Sequence, residues 1–289
     1  MRISGRTKLA GIMGWPVTHS RSPALHNFWI DEHAIEGAYV PLAVRPEHLA
    51  QALRALPALS FRGCNLTLPH KQAALAVVDK VDPLARRIGA INTIIVMPDG
   101  SLEGRNTDAF GFRENLRERA PDWKPSAGPA VVLGAGGGAR GVIAALIEAR
   151  VEEIRIVNRT LVRAEQVARD LAAAGARITA LPWSELATAL RVAGLLVNTT
   201  SLGMSGEAPL EIDLSPLPAS AVVADIVYVP LETPLLAAAR ERGLRTVDGL
   251  GMLLHQGRPG FEAWFGSPVQ VTRELRAAVM TTLGAMGTR

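Results

Sequence analysis

The sequence predicts an α/β protein in two parts, an N-terminal mixed-sheet part followed by a doubly wound parallel sheet. Three observations carry that expectation. Strand-like and helix-like patterns alternate over the first hundred residues, the turn Pro98-Asp99-Gly100 joins two segments that read as a hairpin, and a buried strand pattern leads straight into the glycine-rich stretch 134–138. The chain has 289 residues, enough for two domains or one large one. Apolar residues make up 48% of it and charged residues 20%, a globular and not a disordered composition.

Residues 9–13 read as a strand, 22–34 as a helix, 38–44 as a strand, 47–56 as a helix and 64–68 as a strand. That is βαβαβ, hence a small parallel unit. A helix over 72–79 follows, then 93–97 and 102–106 form a hairpin around the Pro-Asp-Gly turn, which makes the sheet mixed. Residues 121–129 are rich in Pro, Gly and Ser with no apolar period, so a second part begins beyond them. Its strands are 130–133, 154–158, 178–181, 195–198 and 222–228, with helical patterns between them. The tail from 250 is helical again, and the amphipathic run 271–283 is expected to pack back on the first part.

Apolar stretches such as 194–197 and 221–229 are interrupted well short of the ~18 to 20 residues that a membrane span requires. The first apolar segment is short and broken by Gly11, Gly14, Trp15 and Pro16, unlike a signal-peptide core. A soluble, cytoplasmic protein is expected. Cys64 is the single cysteine, which excludes disulfides within the chain, and the six histidines have no ligand spacing, so no metal is expected. His26 and His33, seven apart on a helix, read as sharing a packing face. The 31 basic residues against 27 acidic ones give a charge of +4, but they are scattered without a dense basic run, which points to small anionic ligands and not to nucleic acid. Only Lys8, Lys71, Lys80 and Lys124 are lysines. In a chain so biased towards arginine, a lysine invites a reason, and the distinct one is that its proton can move.

Val131, Val132 and Leu133 lead into Gly134, Ala135, Gly136, Gly137, Gly138 and Ala139. This fits the strand-to-helix turn that binds a pyrophosphate: the first glycine permits the tight turn, the second admits the phosphates to the backbone, and a small third residue lets helix and strand pack closely. About 20 residues on, a site preferring NAD would carry a carboxylate for the ribose hydroxyls. Here stand Asn158, Arg159 and Thr160. A guanidinium can pair with a 2′-phosphate and stack on adenine, so NADP is the predicted cofactor. Arg163, one turn on, and Arg140, at the helix start, either share that charge or are solvated helix surface.

Three polar clusters in the first part remain. In His19-Ser20-Arg21-Ser22-Pro23, Ser22 reads as a helix N-cap with proline at the first helical position, and equally as part of a carboxylate site beside free helix N–H groups. Asn65 and Thr67 share one face of a strand, with Lys71 just past its end, where ligands gather in open α/β units. The same alternation describes a solvated strand face. The hairpin closes into Gly104-Arg105-Asn106-Thr107-Asp108 with Asn92 at its entrance, and Asp108 reads as a helix N-cap or as a functional carboxylate.

Taken together, HSRSPALHN, GCNLTLPHK, GAINT, NTDAFGF, GAGGGAR, NRT, NTTSLGM, YVPLETPLL and DGLGMLLHQG resemble the shikimate dehydrogenase family, in that family's order and from about Gly11 to Gly266. The resemblance implies NADPH-dependent, reversible reduction of 3-dehydroshikimate to shikimate, on the route to chorismate and the aromatic amino acids. It implies a discontinuous substrate-binding and catalytic domain of residues 1–108 and 250–289, and a Rossmann-like NADP-binding domain of residues 109–249. Carried over, Ser20 and Ser22 would hold the substrate carboxylate, and Asn65, Thr67, Asn92 and Asp108 its ring hydroxyls. Lys71 and Asp108 would be the catalytic pair. Tyr228 and Gln256 would complete the substrate pocket, and Thr199, Ser201, Met204 and Gly249 would face the nicotinamide. Leu66 stands where the family often has valine and Gly257 where it often has alanine.

On physical grounds, hydride transfer to a ketone develops alkoxide charge, which a cation or proton donor near that oxygen stabilises more in the transition state than in the ground state. Lys71 can do that, and Asp108 would titrate with it. Expected partners are the small-molecule substrate and, as a candidate, a second copy of the chain in a homodimer, with neither nucleic acid nor membrane. Two alternatives stand beside this reading: a catabolic quinate/shikimate dehydrogenase, against which Arg159, Ser20 and Ser22 argue, and a catalytically silent NADP-binding sensor, against which Lys71 and Asp108 argue.

Overall fold

The computed structural model describes residues 3–172 and 175–284. The chain forms two compact units, Met1–Thr107 with Leu254–Arg289, and Asp108–Leu253. The ends of the expected first domain, residues 1–2 and 285–289, lie outside the described residues.

In the first unit, β1 (Lys8–Gly14), α1 (Ser22–Glu32), β2 (Gly37–Ala43), α2 (Leu49–Ala55) and β3 (Phe61–Leu66) make the βαβαβ unit, with β1 parallel to both β2 and β3. The expected helix over 72–79 is cut to α3 (His70–Ala73) and one 3₁₀ turn, Ala74–Ala76. Its carboxy-terminal end is drawn instead towards the sheet: the Asp79 carboxylate pairs with Arg54 at 2.8 Å and accepts the Leu102 N–H at 2.8 Å. The two-residue strand β4 (Lys80–Val81) and α4 (Pro83–Ile88) follow, the latter capped by the Asp82 carboxylate accepting from Ala85 N at 3.0 Å. The hairpin of β5 (Thr93–Val96) and β6 (Leu102–Arg105) is antiparallel, β5 pairs antiparallel with β3, and β4 runs parallel to β6. The mixed sheet has the order β2-β1-β3-β5-β6-β4. Met13, Leu53, Cys64, Leu66, Ile91 and Ile94 form a core on this sheet with α2.

The second unit opens with α5 (Asp108–Arg119) and continues through β7 (Ala130–Leu133), α6 (Gly137–Glu148), β8 (Glu153–Asn158), α7 (Leu161–Leu171), β9 (Arg177–Pro182), α8 (Leu186–Leu190), β10 (Leu195–Asn198), β11 (Val222–Asp225), α9 (Pro234–Glu241) and β12 (Arg245–Val247). All six strands are parallel, in the order β12-β11-β10-β7-β8-β9. The strand expected over 222–228 ends at Asp225, whose own carboxylate takes the Val227 N–H and so removes that amide from the ladder. Strands β7 and β10 are buried at every position, as strands covered on both faces must be.

Helices α10 (Gly249–Phe265) and α11 (Arg273–Gly284) are the last elements among the described residues. From α10, Phe261 and Trp264 join Trp29 and Tyr39 in an aromatic cluster of the first unit, around the fully buried His26 ring, which stacks on Tyr39 at 4.1 Å. Trp264 Nε1 donates to the Ile94 carbonyl at 2.9 Å, and Trp29 Nε1 to the Gln270 carbonyl at 2.9 Å. His33 lies beyond the last turn of α1 and is exposed, so the two histidines do not share a buried face.

Candidate active site

Most of the substrate residues that the sequence marks lie in the first unit, near the carboxy-terminal ends of β1 and β3. Helix α1 starts at Ser22, not after it: Arg21 holds the cap position without a side-chain cap bond, and Pro23 follows. Ser22 is therefore no N-cap. Its own N–H is taken by Ser20 Oγ at 3.3 Å, and Ser22 is buried. Two adjacent hydroxyls stand at the start of an 11-residue helix, where the helix dipole favours an anion.

Asn65, Asn92 and Gln256 are brought together in one buried hydrogen-bond network. Tyr39 Oη donates to Asn65 Oδ1 at 2.6 Å, and Asn65 Nδ2 donates to the Asn92 carbonyl and to Thr93 Oγ1, both at 3.1 Å. Thr93 Oγ1 donates to Asn92 Oδ1 at 3.0 Å, which also accepts the Thr107 N–H at 2.8 Å. With its oxygen so engaged, Asn92 turns its Nδ2 towards Gln256 Oε1 at 3.4 Å. Tyr39, Thr93 and Thr107 were not among the residues the sequence singled out. Thr93 and Thr107 sit inside motifs that were read, whereas the only signal for Tyr39 is a tyrosine in a buried strand, whose hydroxyl needs a partner.

Thr67 follows the end of β3, half-buried, with its N–H donated to the Met13 carbonyl at 3.0 Å. Lys71 is the second residue of α3, half-buried, and its carbonyl accepts the Ile91 N–H at 2.8 Å. The neighbouring His70 ring anchors this turn: Nε2 lies 2.8 Å from the Val44 carbonyl, which only accepts, so Nε2 carries the proton.

Asp108 belongs to the second unit. It stands in the first turn of α5 and not before it, half-buried, with its charge at the positive end of the helix. Helix α6 approaches it at Gly141, where a Cβ would come 3.2 Å from the Asp108 Cβ.

The nucleotide turn lies where β7 and β10 adjoin, the point at which the strand order of the second sheet reverses. Gly134 has φ +106°, open to glycine alone, and a Cβ there would meet Thr199 Oγ1 at 2.9 Å. Ala135 is half-buried, and Gly136 holds the cap position of α6. Neither Gly136 nor Gly137 faces any atom within 4 Å of where a Cβ would be, while Ala139 is fully buried against the sheet. Space above the turn and bare helix N–H groups are what a pyrophosphate needs. Gly138 continues the first turn of α6.

At the end of β8, Asn158 Nδ2 donates to the Thr160 carbonyl at 2.8 Å, holding the Asn158-Arg159-Thr160 turn. Arg159 and Arg163 are exposed and have no ion-pair partner among the described residues. Arg140 differs: its guanidinium pairs with Asp170 of α7, so it serves the contact between α6 and α7. A 2′-phosphate would find two uncommitted guanidinium groups here and, on the turn after β8, no carboxylate.

Thr199 follows β10, with its N–H and hydroxyl both on the Leu133 carbonyl at 2.9 and 2.6 Å. Ser201 and Met204 are exposed on the same segment. Tyr228 is half-buried, three residues past β11, and Gly249 starts α10 close against the Ile226 carbonyl.

Residues 12–94 match the model of the shikimate dehydrogenase substrate binding domain, and residues 119–204 that of shikimate/quinate 5-dehydrogenase. A protein of Paramagnetospirillum magneticum named shikimate dehydrogenase (NADP(+)) is 58% identical over 96% of this chain and 100% of its own. Among solved structures, the Thermus thermophilus shikimate 5-dehydrogenase in complex with NADP(H) and shikimate is similar at TM-score 0.83 and 38% identity, over 95% of this chain and 99% of that one. The Corynebacterium glutamicum quinate dehydrogenase in complex with NAD is similar at TM-score 0.88 and 30% identity, again over 95% and 99%.

Proposed function

Because the chain belongs to the shikimate dehydrogenase family, we infer that it is an NADP-dependent oxidoreductase that reversibly reduces 3-dehydroshikimate to shikimate. The observation that carries the reading is the 58% identity, over 96% of the chain, to a relative named for that cofactor and substrate. The glycine-rich turn and the uncommitted Arg159 and Arg163 fit NADP on physical grounds of their own. In this reading the unit containing β1 to β6 is the substrate domain and the unit containing β7 to β12 the cofactor domain.

NADPH bound at the glycine-rich turn supplies the hydride. The backbone N–H groups of Gly136, Gly137 and Gly138 hold its pyrophosphate, and Arg159 and Arg163 its 2′-phosphate, beside Asn158 and Thr160. Thr199, Ser201, Met204 and Gly249 line the nicotinamide end. Ser20 and Ser22 bind the substrate carboxylate, adding the α1 dipole to two hydroxyl donors. Asn65, Thr67, Asn92 and Asp108 fix the ring hydroxyls, with Tyr228 and Gln256 completing the pocket. Lys71 gives its proton to the oxygen on which alkoxide charge develops, and in the oxidative direction takes it back. Asp108 is the second member of the catalytic pair.

The lone buried Cys64 fits a reducing cytoplasm, where we place the enzyme, and a homodimer is its candidate assembly, which sedimentation velocity tests. The similarity to a quinate dehydrogenase holding NAD keeps one second reading, a quinate/shikimate enzyme. A crossed assay of purified protein with shikimate or quinate and NADP or NAD decides. The shikimate–NADP pair is expected to be fastest by at least tenfold in kcat/KM, and a faster quinate–NAD pair overturns the assignment.

A further inference from the structure

Asp225 is a buried carboxylate that neither the substrate nor the cofactor contacts proposed above employ. It ends β11 with 2% exposure, in the otherwise apolar run 222–229. Among the described residues every group that bonds to it is neutral. Asn198 Nδ2 donates to Oδ1 at 3.0 Å, the Val227 N–H to the same oxygen at 2.9 Å, and the Thr233 hydroxyl to Oδ2 at 2.7 Å. A buried charge with only neutral partners is a poor device for stability, and burial holds this one up at about 6 against an ordinary 3.8. Its use is better sought in what it connects.

The three donors come from three segments. Asn198 ends β10, and its own Oδ1 accepts the Thr200 N–H at 3.0 Å and the Thr200 hydroxyl at 2.8 Å, while its Nδ2 also reaches the Leu202 carbonyl at 3.2 Å. Val227 begins the segment that leads to Tyr228. Thr233 caps α9 by accepting the Leu236 N–H at 3.3 Å. A carboxylate is acceptor-only, so it alone of the similar-sized side chains can receive donors on both oxygens. Asn198 and Thr233 are themselves fully buried, so no water competes for these bonds.

We propose that Asp225 is the positioning residue for the nicotinamide end of the cofactor site, holding segment 199–204 and segment 226–228 in one arrangement through Asn198, Val227 and Thr233. The proposal rests on the reading that NADP binds this unit, and it assigns Asp225 no contact with the cofactor. Asp225→Asn is nearly isosteric but cannot accept on both sides: an NH2 in place of Oδ1 faces both the Asn198 and Val227 donors and frees them, and an NH2 in place of Oδ2 reverses the Thr233 bond and leaves that hydroxyl proton to find another acceptor. The effect falls at the nicotinamide end and spares the Arg159 turn, which hangs from β8.

The test compares two ligands on the full-length protein. Binding of NADPH is followed by the fluorescence of its reduced nicotinamide, and binding of adenosine 2′,5′-bisphosphate, which lacks that ring, by calorimetry. For Asp225→Asn the NADPH dissociation constant is expected to rise about fivefold or more, with a smaller fluorescence enhancement at saturation, while that of the bisphosphate stays within twofold. Thr233→Val, which keeps the carboxylate and removes one donor, is expected to shift NADPH alone by about twofold to threefold, and it carries the test if Asp225→Asn does not fold. Parallel weakening of both ligands, or unchanged NADPH binding and fluorescence, overturns the proposal. Wild-type protein that binds neither ligand overturns the NADP reading itself, and the proposal with it.

Discussion

Tyr39 Oη donates a 2.6 Å hydrogen bond to Asn65 Oδ1, and both residues are almost wholly buried. The phenol comes from β2 and the amide from β3, strands that flank β1 on opposite sides. One short bond therefore spans the central strand and fills an acceptor of a residue that we assign to the substrate.

Tyr39→Phe removes that donor without removing the ring, leaving a buried amide oxygen one bond short. Unmet hydrogen bonds of this kind cost about 1 to 3 kcal/mol. The melting temperature is expected to fall and the Michaelis constant for shikimate to rise severalfold, with that for NADP unchanged. Thermal melts and initial-rate kinetics check both.

Ser22→Ala separates the two roles that the sequence left open. Because Arg21 and not Ser22 occupies the cap position, the substitution is expected to leave the melting temperature within about 2 °C of the parent. The Michaelis constant for shikimate is expected to rise about tenfold or more, as fits the loss of a charge-assisted hydrogen bond. A large loss of stability with unaltered kinetics would reverse the assignment.

Lys71→Ala is expected to lower kcat by a factor of about 10² to 10⁴, the usual weight of a positioned acid, with shikimate binding largely kept. Nicotinamide absorbance reports the turnover, and equilibrium titration reports the binding. Near-normal turnover would remove Lys71 from the chemistry.

Arg159→Ala is expected to weaken NADP by tenfold or more and to leave NAD within about twofold, since only NADP carries the 2′-phosphate. Arg140→Ala serves as the contrast. Its ion pair with Asp170 is partly exposed and of small worth, so neither cofactor should shift. Equal losses for NADP and NAD at Arg159 would overturn the cofactor assignment.

Burial pushes His26 from its ordinary 6.5 down to about 3, with the Asn65 side chain acting weakly the other way. The unfolded chain thus takes up a proton below about 6.5 that the folded chain refuses until about 3, so stability from this residue is present above 6.5 and drains away as pH falls. Asp225, raised to about 6, has the opposite sign: its contribution is full below 3.8 and lost as pH rises through about 6. His26→Phe keeps a ring against Tyr39 and is expected to lose less stability than the parent between pH 6.5 and 4.5. Melting temperatures across that range measure it, and parallel curves for variant and parent would discount His26.

The fold class could be read because its main signals are long or two-sided. Strands β7 and β10 are apolar at successive positions, and the Pro98-Asp99-Gly100 turn announces its hairpin. Strands β4 and β12 have two and three residues, too few to carry a legible period. The helix expected over 72–79 failed for another reason: its apolar spacing is real, with Ala74 in the core, but the side-chain bonds of Asp79 redirect the chain. The polar groups followed the same rule. Motifs marked Ser22, Asn65 and Asn92, yet which acceptor each donor meets depends on strand neighbours far apart in sequence. Tyr39 and Asp225 look like ordinary strand residues until their partners are known, and Asp225, in the middle of the expected strand 222–228, in fact ends it.

The first unit is assembled from both ends of the chain, and that sets the order of its birth. Its first 107 residues leave the ribosome long before Phe261 and Trp264, whose rings complete the cluster around Trp29 and Tyr39. At roughly 5 to 20 residues per second, the intervening stretch takes about 7 to 30 s to synthesise. Throughout that interval the nascent sheet waits with an uncovered aromatic face while the contiguous middle of the chain can already close on itself. A holdase chaperone would have its natural client window there, and premature termination near residue 253 would release a polypeptide with one finished half and one adhesive one.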